Sequence, residues 1–287
     1  MLLYGRNAKL STVLLSDVYS KCSVVTEGDV YFRHKDINKE AVRSSRTVWC
    51  YDGTNFQNCI GAVDGKHIRI CKPDGSGSEF FNYKSYFSTV LMALVDADYK
   101  FIAIEVGAHG SPSDSNIFKQ FHLYKRLDRN ELNMPKGGPL PLDESGEHMP
   151  SVIVGDEAFA LSEHVLRPYP HRKLSIAKRI FNYGLTRARR MVECAFGILC
   201  NKWRVYHRAI NLHPDFADIV VKACCVLHNY VRARDGVRFE DTLHECPLEN
   251  IESFGTRSMV RGTGVREYFT KYFISPQGCF PWQYDKV

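Results

Sequence analysis

Residues 58–70 read Asn58-Cys59-Ile60-Gly61-Ala62-Val63-Asp64-Gly65-Lys66-His67-Ile68-Arg69-Ile70. An apolar run enters a carboxylate at Asp64, and Ile68-Arg69-Ile70 continues as strand. Residues 87–96 (FSTVLMALVD) and 100–107 (KFIAIEVG) are two more β-rich runs, separated by Ala97-Asp98-Tyr99, which is a hairpin signature. Ser151-Val152-Ile153-Val154-Gly155-Asp156 repeats the first arrangement, a short buried strand ending in a carboxylate. Residues 174–204 read as helices, and in the second of them Ala188, Val192, Ala195, Phe196 and Leu199 recur at helical spacing. Strands followed by helices predict an α/β fold with a mixed sheet.

Outward from these elements the signals are shorter. Pro73-Asp74-Gly75-Ser76-Gly77 is a turn. Ser113 or Asp114 is placed to cap a short amphipathic helix carrying Ile117, Phe118, Phe121 and Leu123. Residues 133–150, with MPKGGPLPL and then an acidic stretch, read as a flexible surface insertion. Residues 215–233 give an apolar helix, and residues 266–273 a last amphipathic piece in a polar tail. In residues 1–55 short apolar patches alternate with charges, with no helical period, so this segment is poorly defined. The expected division is an N-terminal segment (1–55), a central domain (56–235) and a C-terminal tail (236–287).

Composition sets the outer limits. The chain of 287 residues is 44% hydrophobic and 24% charged, so it can bury a core. No apolar run approaches the roughly 18 residues of a membrane span, and Arg6, Asn7 and Lys9 interrupt the opening as a signal peptide. The ten cysteines form no CxxC pair, and several lie in apolar runs, as in Ala223-Cys224-Cys225-Val226. Reduced thiols acting as small hydrophobes, in a reducing compartment, are the expectation. Lys plus Arg exceed Asp plus Glu by 38 to 32, and the surplus is concentrated. Residues 164–210 hold 11 Lys or Arg and one acid, Glu193. Arg167, Arg172, Lys173, Lys178, Arg179, Arg187, Arg189 and Arg190 are candidates for phosphate contacts, which bind DNA without choosing sequence. The plainer alternative is a solvated helix surface.

Three acids stand out: Asp64 and Asp156 at strand ends, and Glu193 on a partly apolar helix face. Burying a carboxylate is costly unless it is paired or holds a cation. Acids from two strand ends and a helix are able to converge on Mg²⁺ or Mn²⁺, which prefer oxygen ligands. Each also has a structural alternative. Asp64 before Gly65 fits a turn, Asp156 fits a cap for the following segment, and Glu193 fits an ion pair with Arg189 or Arg190. His67 and His109 lie beside the motifs, where core or surface packing is the simpler role.

Residues 59–68 (CIGAVDGKHI), 107–118 (GAHGSPSDSNIF), 153–159 (IVGDEAF), 187–199 (RARRMVECAFGIL) and 223–230 (ACCVLHNY) resemble, in the same order, the PIF/Harbinger-type DDE transposases, including the harbinger transposase-derived nucleases. The resemblance covers roughly residues 55–235. It implies an RNase H-like fold and a catalytic triad of Asp64, Asp156 and Glu193. Asp114 matches a further acid of the family's metal site. It also implies a divalent-metal-dependent nuclease using Mg²⁺ or Mn²⁺, with DNA as substrate. The expected location is the nucleus, with the cytoplasm as a second site, and no membrane is involved. Family members usually carry a helix-turn-helix-like region before the first acid, which residues 1–55 do not show, so a separate DNA-binding partner protein is expected. The alternative is a domesticated, non-catalytic DNA-binding or adaptor protein.

Overall fold

The computed structural model describes residues 23–26, 29–32, 56–109, 122–129, 131, 134–236, 246–250 and 260–287. The strands are β1 (Ser23–Thr26), β2 (Asp29–Phe32), β3 (Cys59–Arg69), β4 (Ser88–Val95), β5 (Phe101–His109), β6 (Val152–Val154), β7 (Val165–Leu166) and β8 (Glu249–Asn250). The helices are α1 (His122–Asp128), α2 (Ile176–Lys202), α3 (Pro214–Asp235) and α4 (Val260–Tyr272). The strands make one sheet in the order β1-β2-β5-β4-β3-β6-β7, with β8 added against β3. β4 runs antiparallel to both of its neighbours, β3 and β5, whereas β6 and β7 continue parallel to β3. This is the mixed α/β architecture, sheet flanked by helices, that the strand and helix order implied. No helix among the described residues is long and apolar enough to cross a membrane.

Both faces of the sheet are covered, which explains its near-continuous apolar strands. Every residue of β4 is buried. Leu91, Ala93 and Val95 join the large core beneath α2 and α3, while Val90, Met92 and Leu94 join a smaller one with Leu123 and Leu127 of α1. The β4–β5 turn forms because Asp96 Oδ1 accepts the N–H groups of Asp98 (2.9 Å) and Lys100 (2.8 Å). Tyr99 takes the positive φ of 61° that closes it.

The sequence reading ended a strand at Asp64; the structure corrects this. β3 runs 11 residues, and Asp64 sits in its middle, opposite Ala93. Asp-Gly does not break the strand because β4 pairs with β3 from Ala62 through Arg69. On the other flank, β6 covers Cys59 to Ala62 and β8 covers Lys66 and His67, so Asp64 lies between them. A bulge fixes which way Asp64 points. Cys59 pairs with Val152 and Gly61 with Ile153, so Ile60 is an extra residue. Side chains alternate along a strand, so one extra residue moves all that follow to the opposite face. Cys59 and Ala62 both face the large core, and by the same alternation Asp64 and Lys66 face α2. Gly61 is required there, because a Cβ would stand 2.8 Å from Val95 O and 2.9 Å from Leu94 Cδ1.

Residues 176–202 form one continuous helix of 27 residues, not the several expected. The run holds no proline, and its glycines are tolerated; at Gly184 the helix approaches Phe56 and Phe273. Ser175 caps the start, its side chain accepting from Lys178 N–H. Phe181, Leu185, Ala188, Val192, Ala195, Phe196 and Leu199 are fully buried. Each phenylalanine contributes about 2 kcal/mol by leaving water. α3 starts with Pro214 in its first turn and ends at Gly236, whose φ is 70°.

Three stretches differ from their sequence reading. Residues 23–32 contain a hairpin whose second strand pairs with β5, extending the sheet. The segment 133–150 is pinned at its base, since Leu140 and Met149 are buried and Asn58 Nδ2 donates to the carbonyls of Gly138 and Met149. The stretch read as a tail supplies Leu248, Phe269, Tyr272 and Phe273 to the large core. Phe269 stacks on Phe56 at 5.4 Å.

Candidate active site

β3, the end of β6 and the middle of α2 bring three carboxylates to one side of the sheet. Asp64 is 4% exposed, and its Oδ2 accepts no hydrogen bond among the described residues. Lys66 Nζ lies 4.0 Å from that oxygen, held beside the Phe196 ring at 5.6 Å. Burial pushes the Asp64 carboxyl up to about 6, against the opposing pull of Lys66 and Arg189 and with a push from Asp156. Lys66 was not singled out in the sequence. Its signal is simple: a residue two positions from Asp64 on a strand shares its face.

Asp156 stands two residues beyond the end of β6, where the sequence put it. Gly155 before it leaves no room for a Cβ, with Phe159 Cδ2 at 2.7 Å. Asp156 Oδ1 accepts Ala158 N–H at 2.8 Å, so its turn-capping alternative is realised. Burial raises its carboxyl, Arg189 opposes the rise, and Glu157 and Glu193 add to it. Glu193, with a side chain 44% exposed, pairs with Arg189 Nη2 at 3.0 Å one helical turn away. A single guanidinium therefore faces all three acids. Arg189 is itself largely buried, and its Nε has no hydrogen-bond acceptor among the described residues.

Arg189, together with Lys66 at Asp64, is the positive charge that balances this cluster as it stands. Among the described residues no three His, Cys, Asp or Glu side chains lie close enough together to hold a metal ion. The donor chemistry nevertheless suits a hard cation: the acids offer oxygen only, and one buried carboxylate oxygen lacks a partner. Asp114 and the Ser113 cap lie outside the described residues, as does the side chain of His109. His67 packs in the core, its Nδ1 2.9 Å from Ser88 Oγ, and burial lowers its imidazole to about 4.

The basic residues divide by environment. Arg172, Lys173, Lys178, Arg179 and Arg190 are exposed, around the start and along the outer side of α2. Lys178 Nζ sits 4.9 Å over Tyr169. Arg187 is half-buried over Trp282 at 4.7 Å. Arg167 donates to the carbonyls of Glu157 and Phe159, tying the loop after Asp156.

A protein-family model described as DDE superfamily endonuclease matches residues 63–229. The chain is 32% identical over 210 residues to "Protein ALP1-like" of Arabidopsis thaliana, covering 71% of this chain and 49% of that protein. It is 25% identical over 182 residues to "Putative nuclease HARBI1" of Bos taurus, covering 62% and 47%. The Homo sapiens protein of that name is 24% identical over 182 residues. The chain thus spans about half the length of the curated relatives it matches. No solved structure matches it.

Proposed function

The chain belongs to the DDE superfamily endonuclease family, and from that premise we propose that it is a metal-dependent DNA endonuclease of transposase origin. The observation that carries this is the buried Asp64 oxygen that accepts no hydrogen bond among the described residues, facing α2 with Asp156 and the Arg189–Glu193 pair beside it. A carboxylate held so is costly, and a cation would repay the cost. Asp64, Asp156 and Glu193, joined by Asp114, would hold divalent ions, Mg²⁺ or Mn²⁺. Such ions, when bound, make water a nucleophile near neutral pH and stabilise the oxygen that leaves phosphorus.

The chain's own residues do the rest. Ala158 N–H fixes the orientation of the Asp156 carboxylate. Lys66 Nζ, 4.0 Å from Asp64 Oδ2, favours the ionised form of that carboxylate. Glu193, now paired with Arg189, would help to hold a cation, and the guanidinium would then be available to a phosphate. Arg172, Lys173, Lys178, Arg179 and Arg190 form an exposed basic surface suited to the DNA backbone. The substrate implies work in the nucleus, with target choice left to a partner protein.

The Arg189–Glu193 pair also favours a second function, a domesticated DNA-binding or adaptor protein in which the guanidinium permanently replaces the ion. A plasmid-nicking assay with Mg²⁺ or Mn²⁺ separates the two. The endonuclease nicks, and Asp64→Ala does not. Metal-independent binding without nicking by the intact protein identifies the adaptor.

A further inference from the structure

Two thiols touch at the foot of this cluster, and no step of the proposed chemistry uses them. Cys200 is buried on α2, and Cys246 is half-buried where the chain returns to β8. Their Sγ atoms are 3.6 Å apart across 46 positions of sequence. The residues after Cys246 are anchored. Leu248 enters the large core, and β8 pairs with Lys66 and His67. Lys66 Nζ donates to Asn250 Oδ1, Tyr83 donates to Asn250 O at 3.0 Å, and Lys84 pairs with Glu249. The contact between the thiols is therefore built into the fold from both sides.

We propose that Cys200 and Cys246 are a redox modification site, closing to a reversible disulfide when hydrogen peroxide reaches Cys246. The two sulfurs must approach by about 1.5 Å to reach bonding distance. The roles are asymmetric. The hydrogen bond with Cys200 holds the Cys246 thiol down to about 7, helped by Leu248 N–H, and raises the Cys200 thiol. Cys246 is also the more accessible, so its thiolate attacks one peroxide oxygen. The O–O bond breaks, hydroxide leaves, and Cys246 becomes a sulfenic acid. Cys200 then gives up its proton and attacks Cys246 Sγ; the S–O bond breaks, and water leaves. Two thiols and one peroxide yield one disulfide and two waters, with two electrons passing from sulfur to peroxide. The bond staples residues 246–250 to α2, and β8 meets β3 two residues beyond Asp64.

The test uses the full chain, treated with hydrogen peroxide, alkylated and digested for mass spectrometry. The expected result is a Cys200–Cys246 linked peptide, about 2 Da lighter than the two thiol peptides together, and lost on treatment with dithiothreitol. Cys246→Ser abolishes it, while Cys71→Ser, at an exposed position, retains it. Oxidation raises the melting temperature by about 5 °C in the wild type, because the bond closes a long loop, and not in Cys246→Ser. Because Cys246 is only half-buried, that variant carries the test should Cys200→Ser fail to fold. Full alkylation of both thiols after peroxide overturns the proposal, as does a disulfide that joins other cysteines instead.

Discussion

Asp64→Asn removes a charge from the most buried carboxylate of the cluster while keeping its size. Asp64 is 4% exposed, and burial lifts its carboxyl from 3.8 to about 6. The folded chain therefore binds this proton more tightly than the unfolded chain does. Below about pH 4 both states are protonated and the group costs nothing. As pH rises toward 6, the unfolded chain ionises first, and folded stability falls; above the folded pKa the loss is complete. A rise of roughly two pK steps at 1.36 kcal/mol each corresponds to about 3 kcal/mol. Asn does not titrate, so the variant escapes the loss. Urea denaturation of both proteins at about pH 4 and about pH 7, with EDTA present, reads the effect as a difference of differences. Asp96, also raised to about 6 by burial, titrates in both proteins and cancels. The expected outcome is that the Asn variant gains up to about 3 kcal/mol on the wild type between the two pH values. An equal gap at both, or a variant that fares worse at neutral pH, refutes the buried-charge account of Asp64.

Gly61→Ala forces a Cβ to 2.8 Å from the Val95 carbonyl oxygen, which is backbone and cannot swing aside. Urea melts should show a loss of about 1–3 kcal/mol, and a change below about 0.5 kcal/mol would show that the bulge has slack. Millimolar Mg²⁺ or Mn²⁺ should raise the wild-type melting temperature by about 2 °C, if bound at roughly ten times its dissociation constant. Glu193→Gln should lose most of that rise while folding normally; a rise of the same size in the variant removes Glu193 from the ligand set. Duplex DNA affinity should fall steeply with salt, by about 0.9 log unit per log unit of salt for each phosphate contact. Replacing Arg172, Lys173, Lys178 and Arg179 with Gln should flatten the slope for every sequence alike. An unchanged slope would mean these exposed side chains only meet water.

The sequence revealed most where one residue type had one physical use. The run VLMALV within FSTVLMALVD, apolar at every position, had to be covered on both faces, and its hairpin partner followed from the short turn. The helix expected over 215–233 extends only slightly further, to Pro214–Asp235, because its apolar period and Gly236 left little choice. The three acids came together through family resemblance; singly, each had a local explanation, and two of those explanations hold as well, the Asp156 turn and the Glu193 ion pair. Long-range pairing was not legible. β3 continues past Asp64-Gly65 because distant strands flank it, and β8 lies more than 180 positions away. β1 and β2 have four residues each and gain their place from the exposed edge of β5, which no local window contains. The Cys200–Cys246 contact escaped for the same reason: spacing alone does not say which of ten cysteines meet, and these two are 46 positions apart.

The packing of α4 bears on what counts as a transferable piece of this protein. The family match stops at residue 229, yet Phe269, Tyr272 and Phe273 lie among Phe56, Phe181 and the rest of the central interior. Phe56 also precedes the matched region, and it touches three aromatic rings that belong to α2 and the last segment. A fragment trimmed to the matched residues would expose those rings' partners to water and leave a hole where four phenylalanines now meet. The stretch that carries the chemistry therefore does not coincide with the stretch that can fold, and a graft into another protein would have to take the flanking aromatics along with the acids.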